Sequence, residues 1–355
     1  MTEGAASTSL EAATPPARRA LRIAYLLEST ELFGGVQVVL RQAEALARRG
    51  HRVTVVSPQA APDWFPQMRS RFERSSFRES ASLEEADVRV ATFWSTVPAA
   101  LEGARGRVFH LSQGFEGQFS FYRDQWPEIE AAYRLPVRRL AISETLRRLL
   151  EARGFGPVEN VGQAFDASAF SPGPERPAQD PPVVLLVGPS EVDLKGIDVA
   201  LDGLAIWRAR GGAYRLRRIA TTPMSPSEAR RGLTDEYHHG LEPARMPHAY
   251  RSADVFVGPS RAEEGFGLPS LEALSCGVPT LLSDTPGHRE MAGGAAAYFA
   301  DGDPEDLADR LPSLLSDEAR ERARRLGPIA AARFDPARVA ERLEAAFLAP
   351  EPASG

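Results

Sequence analysis

Apolar runs alternate with stretches of helical period along this chain. Residues 21–28 (LRIAYLLE) are almost wholly apolar, as in a strand covered on both faces. The glycine pair Gly34 and Gly35 then marks a loop, and apolar Val39, Ala43, Leu46 and Ala47 recur at helical spacing up to Gly50. Residues 52–57 (RVTVVS) return to a strand pattern, so the chain opens on a strand–helix–strand unit. VRVATF, RVFHLS and RLAIS predict further strands of the same sheet.

The pattern breaks at residues 172–182, PGPERPAQDPP, where five prolines predict an interdomain linker. VVLLVG at 183–188 opens a second set: a helix over 196–210, strands in RLRRIAT, DVFVGP and TLLSD, and a last helix over 336–347. Two similar α/β halves predict two Rossmann-like domains facing each other across a cleft, where ligands commonly bind.

The densest chemistry lies in EEGFGLPSLEALSCGVP, residues 263–279. Glu264 and Glu272 stand eight positions apart across a glycine-rich turn. Gly265 and Gly267 allow close approach of backbone to a ligand, Pro269 suits a first helical turn, and Gly277 suits a helix end. Strand, acidic glycine-rich loop and helix N-terminus in that order offer carboxylates to hydroxyls and N–H groups to phosphates. A nucleotide-sugar is such a ligand. Taken alone, the stretch is equally a capped loop with two solvated glutamates.

Glu264-Gly-Phe-Gly-Leu and Glu272-Ala-Leu-Ser-Cys-Gly-Val-Pro resemble the signature of family-4 glycosyltransferases, the group 1 transferases of the GT-B fold. That signature separates two glutamates by seven residues. The resemblance extends through residues 281–293 with Glu290, through FGGVQVVLRQAEALARRGHRVTVVS near the amino end, and through AISETLRRLL and GQAFDASAFSP, covering residues 21–345. It implies an acceptor-side domain at 20–171, a linker at 172–182, a nucleotide-sugar-binding domain at 183–334, and a helix at 335–349 packing back on the first domain. It also implies transfer of a sugar from a nucleoside-diphosphate donor to a hydroxyl acceptor, with retention.

The resemblance assigns roles to individual residues. Lys195, the only lysine in the chain, would contact the donor diphosphate; its compact ammonium differs from arginine's planar fork. Glu272 would hold ribose hydroxyls, Glu264 would bind the sugar beside the reacting centre, and the N–H groups of Gly265, Phe266, Gly267 and Leu268 would meet sugar or phosphate oxygens. Gly34 and Gly35 would close over the diphosphate from the opposite wall. Two positions depart from the family. The arginine expected after the strand's glycine is absent, since Pro189 and Ser190 follow Gly188. Gln113 stands where many relatives carry a histidine, and His110, three residues earlier, reads as a packed strand residue. FWSTVPAAL with LSQGFEGQF resembles the branch containing bacterial polysaccharide rhamnosyltransferases.

Trp94, Phe115, Phe119, Phe121, Tyr122 and Trp126 cluster in sequence. Gln113, Trp94 and Phe115 are the candidates for sugar or acceptor contact, against an ordinary core reading. The acceptor is a glycan, a lipid-linked sugar or a small molecule, the last making the protein a tailoring enzyme. A further alternative is a catalytically weak sugar-nucleotide-binding partner, motivated by the two departures.

Composition narrows the picture modestly. At 355 residues the chain has room for two cores, and 43% hydrophobic with 25% charged residues is ordinary for a globular enzyme. A net charge of −6 gives no whole-chain nucleic-acid signal, and Arg138, Arg139, Arg147 and Arg148 read as a solvated face. The single Cys276 excludes an internal disulfide. His238 and His239 are adjacent and so diverge; no metal and no cofactor are expected. Residues 1–19 lack an apolar core and read as a floppy tail rather than a signal peptide. No apolar run reaches the ~20 residues of a membrane span. The expected location is the cytoplasm, with peripheral contact to the inner membrane face left open.

Overall fold

The computed structural model describes residues 19–65 and 68–350; most of the tail expected at 1–19 lies outside them. Thirteen strands form two sheets, every pairing parallel. The first runs β3-β2-β1-β4-β5-β6-β7, built from β1 (Arg22–Leu26), β2 (Arg52–Ser57), β3 (Arg71–Arg74), β4 (Val88–Ala91), β5 (Arg107–Ser112), β6 (Arg138–Ala141) and β7 (Val158–Asn160). The second runs β10-β9-β8-β11-β12-β13, from β8 (Val183–Val187), β9 (Arg215–Ala220), β10 (Glu236–His239), β11 (Val255–Gly258), β12 (Thr280–Ser283) and β13 (Ala297–Phe299).

Every central strand was predicted, most of them as largely apolar stretches, because helices cover both faces of a parallel sheet. The four strands that no run revealed, β3, β7, β10 and β13, are the four sheet edges. Edge strands are short and partly solvated, so RFER and EYHH carry no apolar signature. His238 and His239 belong to one of them.

In each sheet the strand order reverses once, between β1 and β4 and between β8 and β11. Loops leaving such adjacent strands in opposite directions open a crevice at their carboxyl ends, the usual ligand position in an open α/β sheet. Residues 161–182 carry no helix or strand and connect the sheets. They are fastened down: Arg176 bonds Asp254 (3.0 Å) and the Ala253 carbonyl (2.6 Å). The chain returns near Phe334, whose carbonyl accepts from Phe165 N–H at 2.8 Å. The last helix, Pro336–Leu348, lies against the first, Gly34–Arg48. There Arg49 Nε donates to Glu344 at 2.8 Å, and Phe347 packs on Phe109 with ring centres 4.9 Å apart.

Candidate functional site

The loops of the second reversal point carry most of the charged groups. After β8 the chain makes one tight turn, Asp193–Lys195, closed by Gly196 at φ +61°. A side chain at Gly196 would overlap the Pro259 carbonyl, so only glycine lets this turn approach the loop after β11 so closely. That approach brings Lys195 Nζ into an ion pair with Glu264 Oε1. The second oxygen, Glu264 Oε2, is buried and has no hydrogen-bond partner among the described residues. An unsatisfied buried acceptor costs roughly 1–3 kcal/mol, so the oxygen is suited to a hydroxyl donor from outside the chain.

Gly267, at φ +75°, caps the helix Leu268–Ser275, with Pro269 in its first turn. The N–H groups of Gly265, Phe266, Gly267 and Leu268 donate to no other described residue. They are the free donors of a helix N-terminus and suit an anion. One turn along, Glu272 is buried and accepts from the Tyr250 hydroxyl at 2.7 Å. Burial pushes its carboxyl up to about 7, against the opposing pull of that hydrogen bond and of the positive charge of Arg41.

Sequence reasoning passed over His288, which the helix Pro286–Ala292 brings to this loop. Its Nδ1 lies 2.9 Å from the Ser283 carbonyl, so Nδ1 carries the proton and Nε2 is left bare. A Cβ placed at Gly267 would sit 3.5 Å from that Nε2. Burial lowers the imidazole's affinity for a second proton. The signal was a third strand–loop–helix junction, SDTPGH, formally like the one at Gly267.

The opposite wall is less charged. Gly34 and Gly35 form the first turn of a helix rather than the loop expected from sequence. Gly34 faces Leu268 across the cleft; a Cβ there would lie 3.2 Å from Leu268 Cδ1. Gln113 follows β5 and donates from Nε2 to the Gly35 carbonyl at 3.1 Å. Trp94 follows β4, half-buried, its ring 5.9 Å from Phe93. Aromatic contacts continue from Phe93 to Tyr122 (6.0 Å) and Phe121 (4.6 Å), ending at Phe121, which is 56% exposed. Beside them the Ser95 hydroxyl donates to Glu28 at 2.7 Å, across the first reversal point.

One assignment needs correction. Phe115 is 2% exposed and packs on Tyr133, Phe155 and the guanidinium of Arg153, so it is a core residue and not an acceptor contact. The Phe266 ring packs onto Phe334, 4.8 Å between centres, so the residue offers its N–H to a ligand, the group the sequence reading named. His110 is buried in β5 against Tyr133, as expected, and burial drives its pKa down to about 3. Arg218 is fully buried and braces the turn from beneath, bonding Glu228 and the carbonyls of Leu186 and Gly188.

Comparison with solved structures shows the fold. HepE of Anabaena, determined in complex with UDP and glucose, superposes with a TM-score of 0.73 over 93% of this chain and 100% of its own, at 16% identity. The architecture is the GT-B fold: two parallel-sheet α/β domains about a cleft. Residues 181–317 match the family described as glycosyl transferases group 1. The phosphatidyl-myo-inositol mannosyltransferase of Mycobacterium tuberculosis is 28% identical across 86% of this chain and 91% of its own. O-antigen chain mannosyltransferase B of Escherichia coli is 42% identical over 93 residues, a quarter of this chain and 23% of its own. Residues 181–317 thus match the group 1 glycosyltransferases, within a chain that has the GT-B fold throughout.

Proposed function

We propose that this protein transfers a sugar from a nucleoside-diphosphate donor to a hydroxyl acceptor, with retention, in the assembly of a surface glycan or glycolipid. The observation that carries the reading is the Lys195–Glu264 pair with its partnerless Glu264 Oε2, set beside the unpaired N–H groups of Gly265 to Leu268. Positive charge and N–H donors suit a diphosphate, and the bare carboxylate oxygen suits a sugar hydroxyl. In this assignment Lys195 neutralises charge growing on the leaving phosphate, Glu264 orients the sugar, Glu272 accepts from ribose, and Gly34 and Gly35 form the far wall. The leaving diphosphate takes the acceptor proton. Gln113 and Trp94, with Tyr122 and Glu28, line the acceptor side.

A mannosyl donor and a lipid-linked or glycan acceptor are favoured by the names of the relatives. Deoxyhexose and glucose donors are the alternatives. The test is a panel of nucleoside-diphosphate sugars scored by diphosphate release, with inositol lipids, glycan fragments and small alcohols as acceptors. Lys195 and the helix N–H groups supply the charge that a cation otherwise would, so release proceeds in excess chelator. Strict dependence on magnesium or manganese would reassign that role. Binding without turnover across the whole panel would favour the non-catalytic partner.

A further inference from the structure

The helix Pro286–Ala292 has two working faces. His288 turns toward the donor loop, whereas Glu290 reaches into the other domain. There it sits at the N-terminus of the helix Glu144–Ala152, which belongs to the first sheet's domain. Glu290 Oε1 accepts from the Glu144 N–H at 2.7 Å. Its Oε2 accepts from the Thr145 N–H at 2.8 Å and from the Thr145 hydroxyl at 2.6 Å. One carboxylate of the second domain thus fills two of the open N–H positions of a helix in the first, where the helix dipole favours negative charge.

Other polar contacts across the cleft are weaker. Gln118 reaches the Glu263 carbonyl at 3.2 Å and Ser120 reaches Asp193 at 3.3 Å, each a single exposed bond. The Glu290 backbone carbonyl also accepts from Arg333, next to the second chain crossing, at 2.9 Å. Two crossings alone leave the domains free to rotate about the line joining them. A third contact, directional and between rigid elements, removes that freedom.

We infer that Glu290 is a positioning residue. It fixes the angle between the domains, so that the Gly34 and Gln113 wall meets the Gly265–Leu268 loop in register. This rests on the reading of that cleft as the reaction site. Glu290 touches neither Lys195 nor Glu264, so nucleotide binding, which uses the second domain, is separable from closure and turnover.

The test uses the full chain. Glu290→Gln keeps the volume but turns an NH2 toward N–H donors. Kcat should fall roughly tenfold or more, while the Kd for UDP or GDP, whichever the native protein binds, stays within about twofold. Pulsed dipolar distances between labels at Ala60→Cys and Glu318→Cys, both exposed, should broaden from one narrow population; Cys276 is buried and stays silent. Thr145→Val should give an intermediate shift in both readouts, and Thr145→Ser none; this pair decides the matter if Glu290→Gln fails to fold. Native kcat with a native distance distribution would overturn the inference. So would a loss of nucleotide affinity equal to the loss of kcat, which would place Glu290 in the donor site itself. If the native protein binds no nucleoside diphosphate, the functional reading fails, and the distance distribution alone decides the role of Glu290.

Discussion

The two strand-order reversal points face each other, and they are furnished differently. At the second, between β8 and β11, lie Lys195, Glu264 and a row of unpaired N–H groups, with Glu272 and His288 behind them. At the first, between β1 and β4, lie Glu28 bonded to Ser95, the half-buried Trp94 and a train of aromatic rings. One fold repeated twice therefore gives two crevices of opposite chemistry. The charged one suits a phosphorylated donor, and the aromatic one suits the C–H faces and hydroxyls of an acceptor. Position in the topology fixes where ligands go; the loops fix which ligand.

If that division is right, the largest effects come from the charged side. Lys195→Met removes the compact cation and leaves the Glu264 carboxylate without its ion-pair partner, so turnover should drop roughly 10²–10³-fold. Lys195→Arg should recover little, because a planar fork does not fit the same contact. Glu264→Gln should lower kcat by about ten- to a hundredfold, the worth of one charge-assisted hydrogen bond. Steady-state kinetics showing both variants within twofold of native would move the site elsewhere.

Glu272 should matter less, and in a pH-dependent way. Its carboxyl, raised to about 7 by burial, is protonated below that pH and accepts hydrogen bonds fully only above it. Donor kcat/KM should therefore fall as pH drops below about 7. Glu272→Gln should raise donor KM about tenfold at pH 8 and flatten that limb of the profile. An unchanged limb in the variant would assign the titration to another group.

The aromatic wall should register in the acceptor alone. Tyr122→Ala and Trp94→Ala should each raise acceptor KM several-fold, roughly the 1 kcal/mol of a lost aromatic contact, with donor KM unchanged. Equal effects on both substrates would erase the distinction between the crevices.

How far the sequence reached follows the same division. Central strands announced themselves because burial on both faces favours apolar residues, even where a buried arginine such as Arg218 interrupts them. Edge strands did not, because one side needs no burial. On the charged wall, Lys195, Glu264 and Glu272 were picked out because each lies in a short contiguous segment that resembles the family signature, although the contacts they make join residues far apart in the chain. His288 and Tyr250 did not, since each arrives from a separate element and only folding joins it to the loop. Phe115 was misjudged for a related reason: the aromatics around it follow one another in sequence, yet its ring points into the core. The first helix began earlier than the glycine pair suggested, because glycine in a first turn is tolerated when its bare backbone faces a neighbour, here Leu268.

A last pair isolates position from chemistry. Glu116 in the first domain repeats Glu272 closely: it is buried, accepts from a tyrosine hydroxyl (Tyr133, 2.8 Å), and burial raises its carboxyl to about 7. Its carboxylate is buried against Tyr133 beneath the end of β5, although its segment meets the donor loop through Gln118 and the Glu263 carbonyl. Glu116→Gln should therefore leave kcat and both KM values within about twofold of native, the smallest effect in the series. Its consequence is for stability. A carboxyl whose folded pKa is raised favours folding fully below its unfolded value, near 4.5, and loses that contribution as pH climbs through about 7. At pH 8 the charged form costs the folded state on the order of 3 kcal/mol. The variant should consequently be more stable than native at pH 8, with the difference shrinking toward pH 5, as denaturant unfolding at the two pH values would measure. A stability difference that does not vary with pH would remove the burial argument for Glu116. The same argument for Glu272 would lose its support, and its pH limb would need another source.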